Sequence, residues 1–367
     1  MRKIFYLLCA SALFAACTNG QTGYTVKGTV EGAEDGAVVY LQRVERRSLT
    51  ILDSAVVKSG TFTFKGTQDT VINCLVACQT VPDERPLMVD FFLENGTINL
   101  DLNSEVSSAT GTPCNDAYQA IRDQVAEVMN RLQECSTTLM TDSTLTEDQR
   151  EALQTEIDQL DETVMQVAQE GVVNNITNPV GIYLLKQNYY YMDVDVLDPL
   201  MSQIPAEYDN DEALARIKEN VRKMKLTAVG QQFTDFELTT PDGKPLKLSD
   251  IAGKGKLVLV DFWASWCGPC RREMPNVVNA YKTYKKKGFE IVGVSLDNNE
   301  EAWKTAIGEL GMTWPQMSDL QGWQSAAGDI YAISSIPNTV LIGGDGVIVA
   351  RGLTGEALIE KLAELLK

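Results

Sequence analysis

The sequence predicts three parts: a β-sandwich-like N-terminal domain, a helical linker region and an α/β domain at the C-terminus. Apolar residues alternate with a period of two from residue 24 to about 102, and the period becomes helical between about 113 and 225. From Val229 onward strands alternate with helices. Because 367 residues are too many for one typical core, we place separate domains at 24–110, 111–228 and 229–367.

Charge and histidine content exclude several classes of protein. The formal net charge is −18, whereas nucleic-acid-binding proteins need basic patches to neutralise phosphates, so we expect no nucleic-acid partner. The chain has no histidine, which excludes Ser-His-Asp and Cys-His catalysis, His-ligated zinc and proximal-His haem. We therefore expect neither a metal nor a cofactor, and acid–base chemistry must come from carboxylates, Lys, Tyr or Cys.

Residues 1–16 predict a secretory signal peptide, because Arg2 and Lys3 form a short positive region and an apolar stretch of small and aliphatic residues follows. The five residues that end at Cys17, LFAAC, resemble a bacterial lipobox. The resemblance implies that Cys17 carries a lipid anchor and that 17–23 is a flexible tether in the cell envelope. The alternative is an ordinary cleaved signal followed by an incidental cysteine.

The N-terminal domain is predicted from short runs of alternating hydrophobicity. The clearest runs are 24–30, 37–41, 61–64 and 97–102, and breaks rich in Gly, Asp and Asn separate them. Short antiparallel strands at this spacing favour a small β-sandwich.

The middle region is predicted to be helical. Apolar residues keep a helical period over 117–139, and a second helix over 146–169 begins with acidic first-turn residues. Asn178 and Pro179 open a further helix that leads to the tyrosines at 189–191. We interpret these tyrosines as core or domain-interface residues, with a binding surface as the alternative.

The C-terminal domain alternates between strands and helices. The strand at 257–263 is uniformly apolar except for Asp261, as expected for a buried strand in an α/β sheet. The other predicted elements are a strand at 289–296, a helix at 300–310, a hairpin of 338–342 with 347–350, and a helix at 357–366.

Cys267 and Cys270 enclose two residues where the strand at 257–263 gives way to a helix. This spacing brings the two sulfurs to disulfide distance within one turn, and the helix N-terminus favours thiolate at the first cysteine. Cys267 is therefore predicted to be the exposed attacking thiolate and Cys270 the more buried resolving thiol. Half of a zinc site or a structural loop is the alternative, but no second cysteine pair and no histidine is available to complete a zinc site.

The segment 261–275, DFWASWCGPCRREMP, resembles the thioredoxin superfamily and, within it, the membrane-tethered TlpA/ResA-type reductases. The resemblance covers 229–367 and implies a thioredoxin-like fold. It also implies that Asp261 is the buried acid that accepts a proton when Cys270 attacks. Substrate contacts are expected from Trp266, Gly268 and Pro269. The two preceding regions resemble, in layout, the poorly characterised domain and helical linker found before thioredoxin modules in Bacteroidetes lipoproteins.

Ile336 and Pro337 match the cis-proline loop that faces the active-site motif in this superfamily. Pro337 has no N–H, whereas Ile336 can offer its backbone to an extended substrate peptide, so we place both in the substrate site. Thioredoxin itself places a lysine near the buried acid, and the matching strand here, IVGVS, has none.

Four further cysteines lie outside the redox domain: Cys74, Cys78, Cys114 and Cys135. On one strand Cys74 and Cys78 would be about 13 Å apart, which is too far for a mutual disulfide. Cys114 could pair with Cys135, or all four could be buried thiols; we favour structural roles.

The resemblance implies a protein-disulfide reductase of the cell envelope. Thioredoxin has the same Gly-Pro dipeptide between its cysteines, and its reduction potential is about −270 mV. An oxidising envelope therefore leaves the dithiol oxidised unless a donor supplies electrons. The implied partners are disulfide-bearing envelope proteins and a membrane protein that passes electrons from cytosolic thioredoxin. Reduced apocytochrome c is one product that fits, which would link the protein to c-type cytochrome biogenesis. The alternatives are a peroxiredoxin-like peroxidase and a non-catalytic envelope binding protein with a vestigial redox domain.

Overall fold

A computed structural model of the chain describes residues 22–45, 48–83 and 85–367. These residues divide into two compact units, of which one ends at Tyr183 and the other begins at Leu184. The predicted signal peptide and the lipid attachment site at Cys17 lie outside the described residues. The domain boundaries at 110 and 228 stay predictions.

The first unit begins with strands that form two four-stranded sheets, in the orders β4-β1-β7-β8 and β3-β2-β5-β6. The strands are β1 (Tyr24–Val30), β2 (Val38–Val44), β3 (Leu49–Val56), β4 (Thr61–Gly66), β5 (Ile72–Cys78), β6 (Leu87–Leu93), β7 (Gly96–Leu102) and β8 (Ser108–Thr110). Alternate residues of both sheets, among them Val26, Leu41 and Phe91, share one buried core. The β-sandwich-like prediction is therefore confirmed.

We expected antiparallel strands in this domain, and that expectation was wrong for one pair of neighbouring strands. β1 pairs with β4 in antiparallel register but with β7 in parallel register, with Tyr24 opposite Gly96. Parallel neighbours need a long crossover, and here the chain passes through the second sheet before it returns as β7.

Two long helices and the start of a third complete the first unit: α1 (Pro113–Thr141), α2 (Glu147–Asn175) and α3 (Pro179–Asn188), which crosses into the second unit. The hydroxyl of Thr146 accepts a hydrogen bond from the Gln149 N–H, while the Gln149 side chain accepts one from the Thr146 N–H. This capping box fixes the start of α2 within one residue of the predicted start at 146, and the helix continues six residues beyond the predicted end at 169.

The second unit opens with the rest of α3, a tight turn at Tyr189–Tyr191, α4 (Val194–Met201) and α5 (Glu212–Leu226). The interpretation of the tyrosines as core residues was wrong for two of them: Tyr190 is 40% exposed and Tyr191 is 60% exposed. Both rings face outward at this turn, whereas the next residue, Met192, is buried.

The rest of the second unit is a five-stranded sheet in the order β13-β12-β11-β14-β15, with helices around it and a separate β9–β10 pair. Its elements are β9 (Glu237–Thr239), β10 (Pro245–Lys247), β11 (Leu257–Trp263), α6 (Gly268–Tyr284), β12 (Phe289–Ser295), α7 (Glu300–Glu309), β13 (Gln316–Met317), α8 (Ala326–Ile330), β14 (Asn338–Ile342), β15 (Ile348–Arg351) and α9 (Gly355–Leu365). The α/β prediction for this region is confirmed.

The central strand β11 is buried along its whole length, and its side chains contribute to two hydrophobic clusters, one on each face of the sheet. Leu259 and Trp263 face the cluster that contains Cys267 and Cys270, whereas Val260 and Phe262 face the opposite cluster. Because side chains alternate along a strand, Asp261 lies on the same side as the two cysteines.

Among the described residues, no helix combines the length and the apolar character that crossing a membrane would require.

Candidate active site

A buried aspartate fixes the loop that leads from β11 to the cysteine motif. Asp297 is 1% exposed, and its carboxylate accepts hydrogen bonds from the Ser265 N–H at 2.9 Å and the Ser265 hydroxyl at 2.5 Å. The Ser295 hydroxyl donates a further bond at 2.7 Å. The adjacent ends of β11 and β12 are thus tied together just before Trp266. Sequence reasoning did not identify this role, and its only signal was the position of Asp297 after a buried strand.

Cys267 and Cys270 form a disulfide at the N-terminus of α6, with their Cα atoms 5.3 Å apart. Cys267 is the N-cap residue of the helix, and its Sγ accepts a hydrogen bond from the Cys270 N–H at 3.1 Å. After reduction the same N–H and the positive end of the helix dipole would stabilise a thiolate on Cys267 rather than on Cys270.

Both cysteines are buried in the oxidised state. Cys267 is 4% exposed and Cys270 is 1% exposed, so the prediction of an exposed Cys267 was wrong for this state. The physical reason is the opposite loop, because the Ile336 carbonyl oxygen lies 3.7 Å from Cys267 Sγ and covers it.

The peptide bond between Ile336 and Pro337 is cis, as the resemblance implied. Pro337 is followed at once by β14, which pairs with β11 with Asn338 opposite Phe262. This pairing places the loop 336–337 beside the end of β11, where the motif begins. The structure therefore brings Ile336 and Pro337 to the disulfide, although they are about seventy positions away in the sequence.

Asp261 is the buried acid of the site. It is 3% exposed, and its Oδ2 has no hydrogen-bond partner among the described residues. Burial, reinforced by the negative charge of Glu273, raises the pKa of Asp261 to about 7. A carboxyl group with a pKa near neutrality and an unused oxygen is suited to accept and return a proton.

The charge that acts on Asp261 comes from Glu273, a residue of α6 that the sequence reasoning did not single out. One Glu273 carboxylate oxygen accepts a hydrogen bond from the Gly355 N–H at 2.6 Å, and the other accepts one from Asn276 Nδ2 at 3.1 Å. These contacts hold Glu273 on the Asp261 side of the helix. The charged neighbour of Asp261 in this chain is therefore acidic and comes from α6.

We predict that Glu273→Gln lowers the pKa of Asp261 below about 7, because the substitution removes the repulsion that disfavours its charged form. The glutamine keeps an acceptor for the Gly355 N–H. The measurement is the titration of the Asp261 carboxyl carbon by NMR in the oxidised protein. Glu360→Gln, at an exposed position of α9, is the control and should leave the titration unchanged. An unchanged midpoint in Glu273→Gln would contradict the prediction.

The predicted substrate-contact residues surround the disulfide. Gly268 and Pro269 are the first residues of α6, and Trp266 is 52% exposed. The Trp266 ring packs on Trp323, with centroids 6.0 Å apart, and Trp323 is 55% exposed. Only the fold brings Trp323 here, so sequence reasoning did not identify it as part of the site.

The four described cysteines outside the motif form no second redox centre. Cys74, Cys78, Cys114 and Cys135 are all free and buried, in accord with the structural roles favoured for them. Burial raises the pKa of the Cys74 thiol to about 12, which leaves it protonated and unreactive at neutral pH. Among the described residues, no group of Cys, Asp and Glu side chains is arranged to hold a metal ion.

Two family models match the chain. Residues 228–365 match the Redoxin family, and residues 24–118 match a domain of unknown function, DUF4369.

The chain is also similar to named relatives and solved structures. The thiol-disulfide oxidoreductase ResA of Bacillus anthracis is 35% identical over 139 residues, which are 38% of this chain and 77% of that protein. ResA of Bacillus subtilis is 34% identical over 140 residues, 38% of this chain and 75% of that protein. A thiol-disulfide oxidoreductase structure from Bacteroides fragilis has 38% identity, a TM-score of 0.36, and coverage of 37% of this chain and 100% of that one.

These relatives do not favour the peroxidase or the binding-protein alternative. The cysteine pair at the start of α6, the buried Asp261 and the ResA relatives agree with one another. The chain belongs to the thioredoxin superfamily, as a thiol-disulfide oxidoreductase of the TlpA/ResA type.

Proposed function

We propose that the protein is a reductase of protein disulfides in the cell envelope and that Cys267 and Cys270 cycle between dithiol and disulfide. One observation carries the proposal. The Cys267–Cys270 disulfide lies between the Ile336–Pro337 loop, which can hold a peptide, and the side of β11 that carries Asp261, a proton acceptor with a pKa of about 7.

In the first step the Cys267 thiolate attacks one sulfur of a client disulfide. A bond forms between Cys267 and that sulfur, the client disulfide breaks, and the second client sulfur leaves as a thiolate that takes a proton from water. Trp266, Gly268 and Pro269 border the reacting sulfur, and the Ile336 backbone aligns the client segment as an added strand.

In the second step Cys270 resolves the mixed disulfide. Asp261 accepts the proton of the Cys270 thiol, and the resulting thiolate attacks Cys267 Sγ. The Cys267–Cys270 bond forms and the client sulfur leaves as a second thiolate. The client has then gained two electrons, and the protein has reached its oxidised state, which has the disulfide geometry described above.

Continued reduction requires an electron supply. A thioredoxin-like potential of about −270 mV lies roughly 150 mV below that of the periplasmic oxidant, a gap of roughly 7 kcal/mol for two electrons. A membrane donor that carries electrons from cytosolic thioredoxin would supply them. We further propose that lipid on Cys17 holds the protein at the membrane and that apocytochrome c is among the clients.

The direction of electron flow is tested by the redox state of the cysteine pair in cells. Acid quenching and thiol alkylation should find Cys267 and Cys270 mainly reduced in growing cells, and mainly oxidised once the membrane donor is deleted. Cys270→Ser should accumulate mixed disulfides with clients, and Cys267→Ser, the matched control, should accumulate none. A pair that is oxidised in wild-type cells and stays so without the donor would overturn the reductase proposal in favour of an oxidase.

A further inference from the structure

We infer that two cavities beside the Ile336–Pro337 loop bind an extended client segment rich in aromatic or large aliphatic side chains. We call the two cavities together the client groove. The inference rests on the proposed function and deepens it, because it states which class of polypeptide reaches Cys267.

Exposed apolar side chains concentrate around this site. The second unit exposes seven large hydrophobic side chains, and five of them either line the client groove or lie beside the disulfide. Such clustering is unusual on a surface that contacts only solvent, and it indicates a binding site. The five are Tyr190, Tyr191, Val229, Trp266 and Trp323; the other two are Leu226 and Leu365.

The first cavity has a volume of about 490 Å³ and is walled by Tyr190, Tyr191 and Val229. Asn338, the residue after Pro337, also lines it. Asn338 Oδ1 is buried and has no hydrogen-bond partner among the described residues.

The second cavity, also about 490 Å³, adjoins the first along the stretch that leads to the cis-proline, because Ala332 lines both. Tyr189, Trp323 and Ile333 line it, and Ser334 borders both cavities. The Trp323 ring in turn packs on Trp266, the residue before Cys267. An extended chain laid along the Ile336 backbone would therefore have two adjoining cavities available to its side chains.

Side-chain contacts hold the tyrosine turn in place. Asn220 Nδ2 donates a hydrogen bond to Tyr189 Oη at 3.1 Å, which attaches the turn to α5. The helix α5 is tied to the sheet domain by a Lys223–Asp329 ion pair at 2.6 Å. A groove that is already formed loses less conformational entropy on binding, so its aromatic faces contribute more of their contact energy to affinity.

The chemistry of the groove points to an unfolded client. Tyrosine and tryptophan faces stack well on aromatic and aliphatic side chains, and backbone pairing at Ile336 requires an extended segment. Folded proteins bury such side chains and pair such backbone, whereas newly secreted chains expose both. The groove therefore favours disulfides in chains that have not yet folded.

The test uses the full chain and two disulfide-bonded peptides of equal length and charge, with either Phe and Trp or Ser and Gly beside the cysteine. The ratio of their kcat/KM values measures the preference, and hydroxyethyl disulfide reports the chemistry without side-chain contacts. We expect the wild-type chain to prefer the aromatic peptide by about tenfold. The double variant Tyr190→Ser/Tyr191→Ser should lose this preference, and Leu365→Ser, which removes an exposed side chain outside the groove, should keep it.

Val229→Asp provides a second variant should the double variant fail to fold, because it puts a charge into the first cavity and keeps both rings. Equal kcat/KM values for the two peptides in the wild-type chain would overturn the inference. It would also be overturned by a preference that survives in both groove variants, or by a wild-type dimer that becomes a monomer in them. Failure to reduce even hydroxyethyl disulfide would instead reject the proposed function.

Discussion

Cys267→Ser is expected to abolish reduction of insulin with dithiothreitol as donor, leaving only the rate of dithiothreitol alone. The expected loss of enzyme-dependent rate is at least about 10³-fold, because no other group can take the place of the attacking sulfur. Among the described cysteines outside the motif, each is buried in the first unit, away from the helix N-terminus that would activate it.

Cys135→Ser is the matched control, since it also removes one buried thiol but touches neither the motif nor the loop that faces it. We expect its insulin-reduction rate to stay within about twofold of wild type, as for a substitution outside the site. If Cys267→Ser retained the wild-type rate, the assignment of the attacking thiolate would be wrong.

Asp261→Asn is expected to slow the resolution of the mixed disulfide by about 10²- to 10³-fold, the usual contribution of a positioned proton acceptor. In the wild-type chain the resolution rate should rise with pH through about 7, because only the deprotonated carboxylate can take the Cys270 proton. In Asp261→Asn the resolution rate should no longer rise with pH in this range. Rapid mixing of the reduced protein with a labelled disulfide peptide separates resolution from the first attack.

The same substitution should stabilise the oxidised protein at alkaline pH. The pKa of Asp261 is raised from 3.8 to about 7, so the folded chain binds more protons than the unfolded chain between these values. The free energy of unfolding therefore falls as pH rises through this window, by roughly 4 kcal/mol in total at 1.36 kcal/mol per pKa unit. Urea unfolding at pH 5 and pH 8 should show about 2.6 kcal/mol of this fall in wild type and a much smaller change in Asp261→Asn.

Asp161→Asn, an exposed position on α2, is the control for both measurements and should match wild type. A variant that resolves mixed disulfides at the wild-type rate would remove Asp261 from the mechanism. A variant that unfolds with the same pH dependence as wild type would instead contradict the raised pKa. The two results are independent, so the catalytic role and the electrostatic environment are tested separately.

Strands with a regular hydrophobic pattern could be predicted from the sequence, and a strand that is exposed on both faces could not. β11 was predicted over 257–263 as it is observed, because a central strand is buried on both faces and reads as an apolar run. β3 was not predicted, since nearly all of its residues are exposed, even Leu49 and Ile51. Its place beside β2 is set by backbone pairing, which leaves no period in the sequence.

The parallel pairing of β1 with β7 could not be predicted from the sequence for a similar reason. Each strand shows the same alternation whether its neighbour runs parallel or antiparallel, so hydrophobic pattern fixes the buried face and leaves the direction open. The exposure of Tyr190 and Tyr191 likewise depends on a turn whose direction is set by contacts with α5.

By itself the sequence determined the reactive centre of this protein. The two cysteines, their helix N-terminus and the acid in the preceding strand lie within one short segment, where local geometry follows from spacing, and Pro337 was identified through the family motif. Only the tertiary structure decided which charge meets Asp261, what anchors Ser265 and which aromatic rings lie beside the disulfide or line the client groove. Glu273, Asp297, Trp323 and Tyr191 act through space, and packing rather than sequence distance makes them neighbours of the site.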